Sequence, residues 1–155
     1  MAPHIHDKID FTASVFVVHK NKVLLRMHEK YKMWFSVGGH IELDEDPNET
    51  AIREVKEEVG LDVVLWNGNQ RFFFADERNR QLIPPVSVNR HHASGSHEHV
   101  DMIYFATSES DKVTVEYEGD RSDEWRWLTK DQLTEAEFRP DVHFFALEAL
   151  KELAS

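Results

Sequence analysis

Hydrophobic and polar positions alternate along the first part of the chain with the period of a strand. Residues 11–19 and 22–28 follow this pattern and are rich in β-branched side chains. With Lys20-Asn21 between them they predict a hairpin. Residues 33–37 predict a third short strand that delivers the chain to Gly38-Gly39. From Pro47 the period becomes helical, with Ala51, Ile52, Val55 and Val59 as an apolar stripe. Asp46 is placed as N-cap, Pro47 takes the first helical position, Glu49 completes a capping box, and Gly60 stands at the usual left-handed terminus. Strands follow over residues 61–65 and 70–75, interrupted by Asn67-Gly68-Asn69, and again over 100–107, 113–117 and 124–128. Residues 76–95 are mostly polar, contain Pro84-Pro85, and predict a long loop or an edge hairpin. Thr129 caps a short helix. Pro140 opens a last helix whose Val142, Phe145, Ala146, Ala149, Leu150 and Leu153 share one face. Strands, a helix, more strands and a helix predict an α/β (α+β) domain over residues 1–155, a mixed sheet covered by helices.

The first helix carries more than a core face. Glu54, Glu57 and Glu58 stand at i, i+3 and i+4, which gathers their carboxylates on one side. For stability alone this is a poor arrangement. Glu54 repels both neighbours by about 0.2–0.5 kcal/mol per pair. Glu57 and Glu58 sit in the last turn, where the helix dipole disfavours an exposed anion by roughly 0.3–1 kcal/mol. Arg53 lies N-terminal to Glu57, the weaker orientation for an i, i+4 ion pair. Two readings stand: a solvated acidic face in an acidic chain, or clustered oxygen ligands for Mg²⁺ or Mn²⁺.

The wider spacing bears on that choice. Gly39, five residues, Glu45, seven residues, then Arg53-Glu54-Val55-Lys56-Glu57-Glu58-Val59-Gly60-Leu61 resembles the complete signature of the Nudix (MutT-like) hydrolase family. Val37 stands where the family often has a proline. The resemblance implies an α/β/α sandwich, with a mixed β-sheet between helices. It also implies metal-dependent hydrolysis of a nucleoside diphosphate linked to another group, without saying which. Carried onto this chain, Glu54, Glu57 and Glu58 would hold one to three Mg²⁺ or Mn²⁺ ions, with Gly39 beside them. Arg53 would orient the glutamates, and a carboxylate from Glu54 or Glu124 would take the proton of the attacking water. Gly38, Gly39 and Glu45 would form the loop that meets the substrate. The reading from another class is a Nudix-fold ligand-binding module without turnover, and the presence of every acid in the signature favours the enzyme.

Composition narrows the partners. At 155 residues and 41% hydrophobic content the chain can bury a core of its own. A net charge of −11 offers no basic patch for a nucleic-acid backbone, so the expected partner is a small nucleotide brought in through metal. No apolar run approaches membrane-spanning length. The opening MAPHIHDKID lacks the apolar core of a secretory leader, so the expected location is cytoplasmic; a homodimer is compatible with all of this. The absence of cysteine excludes disulfides and thiolate metal sites.

Further features are weighed residue by residue. Glu124, ahead of Trp125-Arg126-Trp127, matches an acid that the family often sends back to the metal site, or is a surface acid at a strand start. Glu116, Glu118 and Asp120 compete for the same role. His97 and His99 alternate into a strand and no histidine pair stands at i, i+4, so His91, His92, His97 and His99 read as a solvent-facing loop bordering the pocket rather than as a transition-metal site. Pro140-Asp141 resembles the Pro-Asp with which nucleotide-sanitising relatives hold a purine, though Asp141 also suits the first turn of a helix. Phe35, after Trp34, has no side-chain hydrogen bond to offer a base edge; it either stacks on the base or joins the core.

Overall fold

The computed structural model describes residues 6–29, 31–115 and 124–155. Strand β1 (Ile9–His19) is the spine. It turns at Lys20, whose φ of 53° is left-handed, into β2 (Lys22–His28), with Val18 opposite Val23 as the hairpin alternation predicts. The third predicted strand divides at Ser36. Its first part, β3 (Met33–Phe35), pairs with β2, whereas β4 (Val37–His40) crosses to the N-terminal half of β1. Gly38 and Gly39 therefore lie within a strand, opposite Ser14 and Ala13, rather than in a loop. Helix α1 (Pro47–Val59) follows, then β5 (Val63–Leu65), β6 (Ser87–Ser94), β7 (His97–Ser108), β8 (Glu124–Thr129) and α2 (Pro140–Leu153).

The sheet runs β3-β2-β1-β7-β5, with β4 also on β1, β6 on β7 and β8 on β2. Strands β1 and β7 are parallel from Ile9↔Glu98 to Val18↔Thr107, and the other pairs are antiparallel. One helix covers each face. Ala51, Val55 and Val59 of α1 pack on Ala13, Val15, Val17, Leu24 and Tyr104. Val142, Ala146, Ala149 and Leu150 of α2 pack on Phe16, Val18, Val23, Leu25, Ile103 and Phe105. The period-two alternation of β1 thus feeds two cores at once. This is the expected α/β/α sandwich. No helix among the described residues is long and apolar enough to cross a membrane.

Several expectations are corrected. Residues 70–75 form no strand, only an Ala75–Arg80 bridge, and Phe72, Phe73 and Phe74 are exposed. Three consecutive phenylalanines cannot all face one side of a sheet. Residues 76–95 resolve into a loop and an edge hairpin, with β6 returning through Gly95 at φ 55° into β7. His91 and His92 are therefore strand residues rather than a loop, while His97 and His99 alternate along a strand as their sequence suggests. Ile52 lies outside the core at 44% exposure, and its place is taken by Thr50 and, unexpectedly, Glu54. The strand predicted at 113–117 is not formed over 113–115; Glu116, Tyr117, Glu118 and Asp120 lie outside the described residues.

Candidate active site

Helix α1 is punctuated as its sequence predicts. The Asp46 carboxylate accepts from the Glu49 N–H at 2.9 Å, Pro47 begins the helix, and Gly60 closes it at φ 71°. The residue before the cap, Glu45, is turned inward to Arg53. Its Oε2 accepts from Arg53 Nε at 2.9 Å, and its Oε1 accepts from Arg53 Nη2 and Thr50 Oγ1, both at 2.6 Å, and from the Glu42 N–H at 3.0 Å. The paired guanidinium holds the Glu45 carboxyl at a pKa of about 2, against the upward pull of burial. Glu45 is thus a clamp between loop and helix. Both of its oxygens are engaged within the chain.

Arg53 distributes its remaining donors over the site. Nη1 reaches Glu54 Oε1 at 3.0 Å and Glu57 Oε2 at 3.1 Å, and Nη2 reaches the His40 carbonyl at 3.1 Å. The weaker i, i+4 orientation is therefore used all the same. Glu54 is only 3% exposed, so burial raises its proton affinity while Arg53 opposes the shift. Its carboxylate occupies the space a side chain at Gly39 would fill: a Cβ there would lie 2.1 Å from Glu54 Oε1. One turn on, Glu57 is 56% exposed and Glu58 half-buried, so the acids form a gradient from core to solvent.

The opposite face of the sheet bears a cavity of about 120 Å³ beneath α2. Its walls include Phe35 and Asp141, two residues the sequence singles out separately, together with Ser14, Asn89, Asp101 and Arg139. Asp141 accepts from Arg139 Nη2 at 3.0 Å. Asp101, nearly buried, accepts from Thr12 and Ser14 hydroxyls at 2.8 Å each. Ser14, Asn89 and Asp101 are absent from the sequence reading, yet a signal exists. Asp10, Thr12 and Ser14 are polar at every second position of β1, and His97, His99 and Asp101 repeat the pattern in β7. Such a stripe on a covered face needs polar partners or a ligand.

Glu124 does not join the box. It stands opposite Met27, which packs against the α2-side core, and pairs with Arg126 at 2.8 Å. By strand alternation its side chain is on the face away from α1. Ser122 and Asp123 before it lie outside the described residues.

Comparison with known proteins gives the family and the fold. The NUDIX domain family matches residues 9–149. A hydrolase of the NUDIX family from Clostridium perfringens is 36% identical, with 92% of this chain and 97% of that one covered and a TM-score of 0.79. The Ap4A hydrolase of C. elegans shares the fold at 16% identity, covering 92% and 93% of the two chains with a TM-score of 0.65. A Lactococcus lactis subsp. cremoris (strain MG1363) protein named "Probable DHNTP pyrophosphohydrolase" is 27% identical over 114 residues, 72% of this chain. The match spans 61% of that protein's length. This chain belongs to the Nudix hydrolase family.

Proposed function

We propose that the chain is a metal-dependent pyrophosphohydrolase cleaving a diphosphate linkage in a nucleoside diphosphate derivative. The observation that carries this reading is the seat of Glu54, a carboxylate almost wholly buried, braced by Arg53 and set against the side-chain-free Gly39. A buried carboxylate is costly unless a cation is close, and a single guanidinium is shared here among Glu45, Glu54 and Glu57. Oxygen donors of this kind fit Mg²⁺ or Mn²⁺, which when bound supplies water activation and neutralises charge on the phosphoryl oxygens.

In this reading Glu54, Glu57 and Glu58 hold the ions, and Arg53 positions the first two without touching substrate. Glu54 takes the proton from water, a role suited to its raised proton affinity. Glu124, facing the other side of the sheet, takes no part in that step. The Gly38-Gly39 backbone in β4 lies between the box and the cavity, where it meets the phosphates. The cavity then takes part of the nucleoside, with Asp141 at a polar edge. At about 120 Å³ it is well below the roughly 300–1,000 Å³ of sites that enclose whole ligands.

The test is a panel of nucleoside diphosphate derivatives, with DHNTP included because a relative carries its name, assayed with and without Mg²⁺. Expected is Mg²⁺-dependent release of phosphate, pyrophosphate or nucleotide, and a kcat lower by on the order of 10²-fold or more in Glu57→Gln. Tight binding without turnover across the panel, or near-normal turnover by the variant at saturating Mg²⁺, would overturn the reading.

A further inference from the structure

We propose that His40, His97 and His99, with Asp10 beside them, form a second metal site, for one tetrahedral transition-metal ion of the Zn²⁺ type, separate from the carboxylates of α1. The sheet register assembles it. Asp10 of β1 stands beside His99 of β7 in the parallel ladder, and His40 of β4 stands opposite Thr12, two residues along β1 from Asp10. By alternation all four side chains point to the α2 face. One ring nitrogen from each of His40, His97 and His99 falls within 4.8 Å of the others. The rings meet edge to face, His40–His99 at 5.0 Å and His97–His99 at 5.2 Å, both at 87°. Asp10 and His40 are buried to 1% and 4% exposure, and His97 and His99 are half-buried, so the cluster runs from the core to the edge of the sheet.

The orientation of the donors is what distinguishes a ligand set from packed aromatic rings. Asp10 Oδ2 lies 3.6 Å from His40 Nε2 and 4.0 Å from His97 Nε2. Both distances exceed a hydrogen bond of about 2.7–3.2 Å. They approach the separation of roughly 3.4 Å between two ligands that share a tetrahedral ion through bonds of about 2.1 Å. His97 Nδ1 lies 3.2 Å from the Asp7 carbonyl, an oxygen that can only accept. That bond places the proton on Nδ1 and turns the Nε2 lone pair toward the cluster, the backing that metal-bound histidines commonly have. Imidazole nitrogens with one carboxylate suit Zn²⁺, whereas Mg²⁺ demands oxygen. Three histidine donors leave the fourth position of the ion to water or, after a small shift, to the Asp10 carboxylate beside them. The site would pin three strands together at the residue after Gly39, and the His40 carbonyl already binds Arg53 at 3.1 Å.

The whole chain, stripped with chelator and returned to buffer with excess Mg²⁺ to occupy the box, is titrated with Co²⁺ and with Zn²⁺. Glu57→Gln serves as a background in which the box is impaired. Expected are the intense visible bands of tetrahedral Co²⁺ at one equivalent, their loss on adding one equivalent of Zn²⁺, and a Zn²⁺-dependent rise in Tm. His99→Ala and, should that variant fail to fold by circular dichroism, Asp10→Asn or His97→Asn should lower Zn²⁺ affinity by at least about 10–100-fold. His91→Ala should leave it unchanged. Absence of a tetrahedral Co²⁺ spectrum from the wild type, Zn²⁺ binding retained in the folded histidine variants, or Zn²⁺ binding lost in Glu57→Gln would each overturn the proposal.

Discussion

A methyl group at Gly39 and one at Gly38 would meet different obstacles. At Gly39 the added carbon would lie 2.1 Å from Glu54 Oε1, the end of a side chain that can swing away. At Gly38 it would lie 2.4 Å from the Ala13 carbonyl, part of the β1 backbone that cannot. Gly39→Ala should therefore keep a Tm close to wild type while kcat falls by on the order of 10²-fold, because the carboxylate leaves its seat. Gly38→Ala should instead lose roughly 1–3 kcal/mol of stability through overpacking. Thermal melts and steady-state kinetics on both variants check this; a fully active Gly39→Ala enzyme would show that the seat of Glu54 is dispensable. The sequence marks both glycines as a place of close approach. It does not say what approaches, because Glu54 reads as one of three equivalent acids on a helix face until its burial is known.

At the scale of the element, α1 owes its position to Glu45 as much as to its apolar stripe. The Glu45–Arg53–Thr50 cluster ties the preceding loop to the second turn, and Glu45's side chain is only 9% exposed. Its carboxyl falls from an ordinary 4.5 to about 2 on folding. A depressed carboxyl stabilises fully above its unfolded value, and the contribution is lost as pH falls through the folded one. The window is thus from about pH 4.5 down to about 2. The shift corresponds to about 3 kcal/mol at most. Urea unfolding of Glu45→Gln should show a loss of about 2–3 kcal/mol at pH 7 that shrinks toward zero near pH 2. An equal deficit at both pH values would mean that the residue acts through packing rather than charge. Elements with local signals were legible: the hairpin, the capped helix and the apolar face of α2. The division of residues 33–40 into β3 and β4 was not, since the choice of β2 or β1 as neighbour is made by distant chain. The run Phe72-Phe73-Phe74 misled because its apolar character exceeds what a strand with one buried face can use.

Over the whole molecule, the sandwich separates two chemistries, with carboxylates on the α1 face and a histidine-rich polar stripe on the α2 face. The first lay within one stretch of sequence and could be read there. The second is built from β1, β4 and β7, and no local window contains it. A chain of net charge −11 that concentrates acids on one helix should be stabilised when that charge is neutralised. In EDTA, Glu57→Gln should melt close to wild type. The carboxylate is 56% exposed and meets Arg53 at 3.1 Å, a surface pair worth about 0.3–0.5 kcal/mol. Its repulsion by Glu54 and the adverse helix dipole offset a similar amount. Mg²⁺ at 100 times its Kd should then add about 2.7 kcal/mol to the wild type, a rise in Tm of about 5–10 °C for a domain of this size. The variant should gain markedly less at the same concentration. Melts of both proteins with and without Mg²⁺ decide the matter. Equal shifts in the two would remove Glu57 from the ion site, and a variant already much less stable in EDTA would make Glu57 a structural partner of Arg53 instead.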